Sequence, residues 1–184
     1  AMALALLLDQ WTGGTLIQGS PLGYDVISGA RFYGLGNEYM GALVGATCIG
    51  GTAAVERLPQ RPKVVLWGVF GWLILVLATL ALPWWGANVG GAISAFIAFG
   101  VLTILMTDRR ITWRHGIGLA IILIILLTGV FALDSIRAVE SQSHIGQTVK
   151  LIQQNGVGEI FNIFYRKISM NLRLFRYTIW TRVF

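Results

Sequence analysis

Four long apolar runs alternate with short polar stretches along the chain, at residues 39–55, 64–82, 89–106 and 116–133. A helix needs roughly 20 apolar residues to cross about 30 Å of hydrocarbon, and each run comes close to that length. Every backbone N–H and C=O group inside a bilayer must be paired, which a helix achieves within itself. The pattern therefore predicts an all-α polytopic transmembrane helix bundle.

The two ends of the chain carry shorter features. Residues 1–8 are apolar but too few to span, and polar residues follow from Asp9, so we expect the end of a truncated span there. We assign residues 1–133 to the transmembrane bundle and residues 134–184 to an extracytoplasmic segment with an amphipathic helix. Residues 178–184 are apolar enough to begin a further span.

Basic residues in short loops predict the orientation, because loops rich in Lys and Arg stay on the cytoplasmic side. The loops at residues 56–63 and 107–115 each contain three Lys or Arg residues. Both loops are predicted to be cytoplasmic, with His115 as a loop residue. The alternate segments, residues 9–38 and 83–88, contain a single Arg against three acids and are predicted to face outward.

Composition agrees with a membrane protein. The chain is 55% hydrophobic and 12% charged, with a mean hydropathy of +0.70, whereas soluble domains have about 25% charged residues. The net charge of +6 comes from cations in loops beside apolar runs, which favours membrane lipids over nucleic acid as the partner. Cys48 has no second cysteine for a disulfide, and no metal or nucleotide motif occurs, so we predict no cofactor and no metal.

The tail contains an amphipathic pattern from Glu159 onward. An apolar side chain recurs every three or four residues, which places the stripe on one face of a helix. The stripe comprises Ile160, Phe164, Ile168, Leu172, Phe175 and Ile179. Cations, including Arg173, fall largely away from this stripe. Two interpretations remain open: an interfacial helix whose cations meet lipid phosphates, or a clamp for a substrate phosphate that includes Arg173.

The segment from Gly29 to Gly41 concentrates polar chemistry where the first predicted complete span begins. Asn is a good helix N-cap and an acid in the first turn opposes the helix dipole favourably, which explains Asn37 and Glu38 as capping residues. Capping leaves Arg31 and Tyr33 unexplained, in a glycine-rich run that permits close approach to a ligand. A guanidinium can grip a phosphate with its planar fork. We predict substrate binding here, with Glu38 as a candidate general base.

A second helix begins on the same predicted face after Asn88. Its first-turn N–H groups are expected to be unsatisfied and to carry partial positive charge. If the two helix starts are neighbours, Arg31, Asn37 and Asn88 converge on one pocket for an anion. His144, in a polar outer segment, is either a second candidate for proton transfer or an incidental surface histidine. Small residues of both helices favour close packing: Gly41, Gly45, Gly90 and Gly91.

The runs ARFYGLGNEYMG, WGANVGG, SHIGQ and RKISMNLR resemble a bacterial polytopic membrane protein family with an ARFYGxGNE-type motif, whose longer members continue at both ends. This resemblance implies the bacterial cytoplasmic membrane as the location and no particular activity. The spacing of Arg31, Gly34 and Asn37 also resembles the O-antigen ligase and polymerase superfamily, whose members transfer glycans from undecaprenyl diphosphate at the outer face. Glu38 stands where that superfamily usually has a proline, and its later Ser-Arg element is absent here.

Three classes of function follow from these observations. The first is an envelope membrane protein that acts on a polyprenyl-linked or other phosphate-bearing substrate at the outer face. There, Arg31 and Arg173 would hold the phosphate, and Glu38 or His144 would act as general base. The second is a non-catalytic module that anchors, or binds a membrane protein partner or a second copy, through its glycine faces. Transport, the third, is disfavoured because two of the predicted spans contain no ionisable residue.

Overall fold

The computed structural model describes residues 1–20, 34–58, 63–107, 110–135 and 158–177. Every regular element within these ranges is a helix, so the predicted all-α architecture is confirmed. The chain divides into two compact units, Ala1–Leu133 and Asp134–Phe184.

The helices of the described residues follow the apolar pattern of the sequence. In chain order they are α1 (Met2–Trp11), α2 (Thr15–Gln18), α3 (Asn37–Glu56), α4 (Lys63–Ala81), α5 (Val89–Met106), α6 (Trp113–Ser135) and α7 (Gly158–Tyr177). Three of them, α4, α5 and α6, are long and apolar enough to cross a membrane. The protein is therefore an integral membrane protein.

Helix α3 corresponds to the remaining predicted span, at residues 39–55. It forms a helix of 20 residues, but it is not among the three helices that meet the length and hydropathy of a membrane span. The six glycine and threonine residues from Gly41 to Thr52 lower its hydropathy. The crossing of the membrane by α3 therefore stays a prediction.

The core of the first unit lies where α3, α4 and α5 pack against one another and α1 packs against α3. Its most deeply buried large side chains include Leu7, Leu43, Val76 and Leu80. Because lipid tails are as apolar as leucine, helices in a membrane associate through close van der Waals packing rather than the hydrophobic effect. Gly51 provides such a contact, since a Cβ added there would lie 3.2 Å from Cγ1 of Val69.

Helix α6 lies at the edge of this unit. All of its residues from Trp113 to Leu133 are at least partly exposed. It approaches α5 at Gly100, where an added Cβ would lie 2.5 Å from Cδ2 of Leu119. In the second unit, α7 covers the predicted amphipathic segment, and its large apolar side chains Phe164 and Leu172 are exposed.

Candidate functional site

Buried polar side chains concentrate at one end of the first unit, where α1 and α4 end and α3 and α5 begin. We call this the polar end. The buried polar side chains of the described residues are Asp9, Gln10, Thr47, Thr79 and Asn88, and all except Thr47 lie at the polar end. Burying a polar group is costly unless it is hydrogen-bonded. The contacts of these four residues therefore show what holds the polar end together.

Asn88 connects the starts of α3 and α5. Its Nδ2 donates to the carbonyl oxygen of Leu35 at 2.9 Å and to Oδ1 of Asn37 at 3.3 Å. Its Oδ1 accepts from the N–H of Gly91 at 2.8 Å, and the residue is only 5% exposed. The two helix starts are thus neighbours, as the predicted convergence of Asn37 and Asn88 required.

These bonds define what Asn88 can contribute to a ligand. Asn88 is the N-cap of α5, and its side chain accepts a hydrogen bond from the N–H of Gly91. The first-turn N–H groups of α5 were expected to be unsatisfied, and for Gly91 this expectation is wrong. The Nδ2 group of an asparagine carries two hydrogens. Because both are engaged, Asn88 has no side-chain donor left for an anion, and its role here is to position the two helices.

The predicted N-cap role of Asn37 is wrong. The N-cap of α3 is Gly36, in an extended conformation and without a side-chain cap, and Asn37 is the first helical residue. The side chain of Asn37 accepts a hydrogen bond from Asn88, which favours a helix-to-helix contact over capping. Glu38 lies in the first turn of α3, as predicted, and is exposed.

The loop after α4 folds back over the last turn of that helix. The N–H of Gly86 donates to the carbonyl of Thr79 at 2.8 Å, and the N–H of Asn88 donates to the carbonyl of Leu80 at 3.0 Å. The carbonyl of Gly86 in turn accepts from the N–H of Leu35 at 2.8 Å. A Cβ at Gly86 would lie 2.5 Å from the carbonyl oxygen of Thr79, so this close approach requires glycine.

The glycine of the Arg-x-x-Gly-x-x-Asn spacing is also required by the fold. Gly34 has φ of +79°, a conformation that other residues rarely adopt, and an added Cβ would overlap the carbonyl oxygen of Gly86. Next to Gly86, Ala87 has φ of +45°, which is unfavourable for a residue with a Cβ. The segment at Gly34 and the loop at Gly86 therefore fit against each other through their backbones.

Asp9 was not recognised as part of this end from the sequence. Helix α1 continues to Trp11, so Asp9 lies within the helix and not after its end, while the side of the membrane that it faces stays a prediction. Its carboxylate accepts hydrogen bonds from the N–H groups of Leu16 and Ile17, each at 3.0 Å. An acid at a helix N-terminus satisfies unpaired N–H groups and opposes the dipole, so Asp9 holds α2 against the end of α1.

Gln10 and Trp11 attach α1 to the end of α4. Nε2 of Gln10 donates to the carbonyl of Trp85 at 3.0 Å, and Nε1 of Trp11 donates to Oγ1 of Thr79 at 3.1 Å. The ring centroids of Trp11 and Trp85 are 5.6 Å apart. Oε1 of Gln10 is buried and has no hydrogen-bond partner within the described residues. Sequence reasoning missed this contact, because Asp9 and Gln10 directly follow an apolar run, a position that loop residues and buried partners share.

The glycines expected to pack α3 against α5 have different surroundings. A Cβ at Gly91 would lie 2.7 Å from Cγ of Met40, so Gly91 allows the two helices to approach. Apart from the neighbouring backbone of α3 itself, no described atom lies within 4 Å of a Cβ added at Gly41 or Gly45. At Gly90 the nearest atom belongs to Asn88 of the same helix start, 3.9 Å away. The packing expectation is therefore correct for Gly91 and wrong for the other three glycines.

The remaining predicted site residues lie outside the described part of the first unit. Arg31, Tyr33 and His144 lie outside the described residues. Arg173 is exposed on α7 in the second unit. The structure thus joins Asn37 to Asn88, with Glu38 next to Asn37 in sequence.

A cavity of about 540 Å³ lies away from the polar end, between α4, α5 and α6. Its lining is mostly apolar and contains none of the predicted site residues, but it includes Arg114 and His115. His115 was predicted to be a loop residue. It lies instead in the first turn of α6, because α6 begins at Trp113, and its Nδ1 is 3.1 Å from the N–H of Thr112. Sequence reasoning missed this cavity because its lining comes from three separate helices.

A second cavity, of about 420 Å³, lies between α1, α3 and α4 and is lined mostly by small residues, together with Leu4 and Trp72. Within the described ranges, no group of three or more His, Cys, Asp or Glu side chains is placed to hold a metal ion.

No family model, curated protein or solved structure matches this chain.

Proposed function

We propose that this protein resides in a bacterial cytoplasmic membrane and binds a phosphate-bearing envelope lipid, such as a polyprenyl-linked glycan, at the polar end. The observation that supports this most is the hydrogen bond from Asn88 to Asn37, because it holds the N-termini of α3 and α5 together. A helix N-terminus carries partial positive charge and favours phosphate. Two adjacent N-termini add their fields at one place.

The phosphate is assigned to Arg31 in this proposal. Arg31 and Tyr33 closely precede Gly34 in the sequence, and Gly34 is fitted against the loop that contains Gly86. A guanidinium forms two parallel hydrogen bonds with phosphate oxygens. Tyr33 is assigned to a contact with the attached glycan. Asn88 holds the helix starts, since its amide hydrogens are already engaged.

Glu38 is the proposed general base if the bound lipid reacts. Its carboxylate would take the proton of an acceptor hydroxyl while that oxygen forms a bond to the sugar carbon that carries the diphosphate. The bond from this carbon to the diphosphate oxygen breaks, and the diphosphate leaves with the negative charge stabilised by Arg31. His144 is the alternative base, and Arg173 is the alternative phosphate ligand.

Native mass spectrometry of the purified chain in detergent tests the binding step. We expect undecaprenyl phosphate to bind more tightly than the phosphate-free alcohol. Arg31→Gln should weaken the phosphate form about tenfold or more, since a hydrogen bond to a charged group contributes about 1.5–3 kcal/mol. Arg57→Gln is the matched control, because it removes a cation after the last residue of α3, at the opposite end from Asn37. Equal binding by wild type and Arg31→Gln would refute the assignment.

Glu38→Gln tests the chemical step separately. The variant should bind undecaprenyl phosphate like wild type, while glycan transfer to an acceptor in reconstituted membranes should fall by 100-fold or more, as expected for loss of a general base. His144→Gln is the matched comparison. If glycan transfer were lost in that variant alone, His144 would be the general base. Transfer that survives both substitutions would rule out either residue as the base.

A second function, binding of a membrane protein partner, is favoured by the surroundings of Gly41 and Gly45. These glycines have GxxxG spacing, which suits close helix association, and no described atom occupies the space beside them. Replacing both by leucine should abolish co-purification of a stoichiometric partner and leave lipid binding unchanged. Gly129→Leu is the control, since Gly129 also faces open space but lies on α6. An intact complex in the double variant would exclude this face as the interface.

A further inference from the structure

The cavity between α4, α5 and α6 is a lateral groove with an apolar wall. Residues from all three helices line it, among them Phe70 and Ile74 of α4, Phe99 of α5 and Ile122 of α6. Ile74 is 67% exposed and Ile122 is 52% exposed. In a membrane, an apolar groove of this kind faces hydrocarbon tails rather than water. An acyl chain therefore matches the wall in polarity.

One end of the groove differs from the rest because it carries hydrogen-bond donors. Arg114 and His115 are part of the lining, at the start of α6, and no carboxylate is among the described residues that line the groove. Arg114 is exposed, and its Cζ is 5.8 Å from the ring centroid of Trp113. Trp67, at the same end of the groove, is 70% exposed. Tryptophan and arginine at a helix end are typical of the headgroup level of a bilayer.

The hydrogen bonds of His115 define which ring nitrogen can contact a ligand. Its Nδ1 lies 3.1 Å from the backbone N–H of Thr112, which can only donate, so Nδ1 is the acceptor. In the neutral ring the hydrogen is then on Nε2, which makes Nε2 a donor. The mouth of the groove thus offers the guanidinium of Arg114 and the Nε2–H of His115 to an anion.

We propose that this groove binds an anionic phospholipid. The acyl chain lies along α4, α5 and α6, and the phosphate accepts hydrogen bonds from Arg114 and His115. Basic pockets between membrane helices on the cytoplasmic side bind anionic headgroups, and the loop that precedes α6 is predicted to be cytoplasmic from its Arg residues. This site is independent of the polar end and of the function proposed there.

Native mass spectrometry with two lipids of identical acyl chains tests the headgroup contact. Phosphatidylglycerol should bind several-fold more tightly than the zwitterionic phosphatidylcholine. Arg114→Gln should weaken phosphatidylglycerol about fivefold, which corresponds to the loss of one cation near the headgroups. It should weaken phosphatidylcholine less, because the choline cation compensates the charge of the same phosphate. Arg110→Gln is the matched control, because Arg110 is also exposed near the start of α6 but does not line the groove. Equal effects of the two substitutions would overturn the proposal in favour of general surface charge.

A pair of glycines on α6 tests the acyl-chain contact. Gly118 lines the groove and Gly116 does not, while a Cβ added at either position meets no described atom within 4 Å. Gly118→Leu should fill the groove and weaken both lipids, whereas Gly116→Leu should leave both unchanged. Circular dichroism of each variant verifies that the helices are retained. Lipid binding that survives Gly118→Leu would overturn the proposal. If the oligomeric mass of that variant changed while lipid binding did not, the occupant of the groove would be a second copy of the chain.

Discussion

Replacing Asn88 provides the sharpest test of how the polar end is held together. Its side chain makes three hydrogen bonds, to Leu35, Asn37 and Gly91, within a buried environment. Asn88→Ala removes the N-cap of α5, which is worth about 1 kcal/mol. It also removes two contacts to α3 and its preceding segment, where hydrogen bonds between membrane helices average about 0.6 kcal/mol.

The lost cap and the two lost contacts add to an expected loss of unfolding free energy of about 2 kcal/mol for Asn88→Ala. For a chain of this size, each kcal/mol lowers the thermal midpoint by about 2–4 °C. A decrease of roughly 4–8 °C should be measurable by circular dichroism of the purified chain in detergent.

Asn88→Asp separates the cap from the contact with α3. Aspartate keeps an acceptor for the N–H of Gly91, so it retains the cap. It loses both donors and places a negative charge against the carbonyl of Leu35 and Oδ1 of Asn37. We expect Asn88→Asp to be at least as unstable as Asn88→Ala.

Ser94→Ala is the matched control on the same helix, because the hydroxyl of Ser94 only donates to the carbonyl of Gly90 at an exposed position. Its thermal midpoint should stay within about 2 °C of wild type, as for most surface substitutions. A stable Asn88→Asp variant would show that capping alone matters. It would refute the conclusion that Asn88 joins α3 to α5.

Further predictions concern the same end of the molecule and use the same thermal measurement. Gly86→Ala should lower the unfolding free energy by about 2–3 kcal/mol, because its Cβ would clash with backbone, and wild-type stability would contradict the 2.5 Å approach. The substitution Ala87→Gly, at the next residue, should change the unfolding free energy by less than about 1 kcal/mol, because glycine readily adopts the positive φ of this position. Asp9→Ala should cost about 2 kcal/mol by leaving two N–H groups of α2 unpaired, whereas Asp9→Asn should recover part of this loss.

The helices were predictable because their signal is local. An apolar run of sufficient length specifies a membrane helix without reference to any partner, and α5 has the bounds predicted for it, from Val89 to Met106. The start of α6 was predicted three residues late, because Trp113 and His115 are less apolar than the residues that follow. His115 lies in the first turn and pairs with Thr112 through its ring nitrogen, in the manner of a capping box.

The polar end was not predictable in the same way because its contacts join residues far apart in sequence. Asn88 pairs with Leu35 and Asn37, which lie 53 and 51 positions away, and Gln10 pairs with Trp85 across 75 positions. A polar residue beside an apolar run has no sequence signal that distinguishes a solvent-facing loop from a buried partner. The sequence therefore does not distinguish Asp9, which lies in α1 as a buried cap for α2, from a loop residue.

These contacts change how the Arg-x-x-Gly-x-x-Asn spacing should be interpreted. Gly34 is needed for close approach to Gly86, and Asn37 is needed as the acceptor for Asn88. Both residues are accounted for by the packing of α3 against α5, so neither requires a ligand to explain it. The close approach that accounts for Gly34 and the hydrogen bond that accounts for Asn37 do not require Arg31. Variants of Gly34 and Asn37 should therefore change stability and binding together, while a variant of Arg31 should change binding alone.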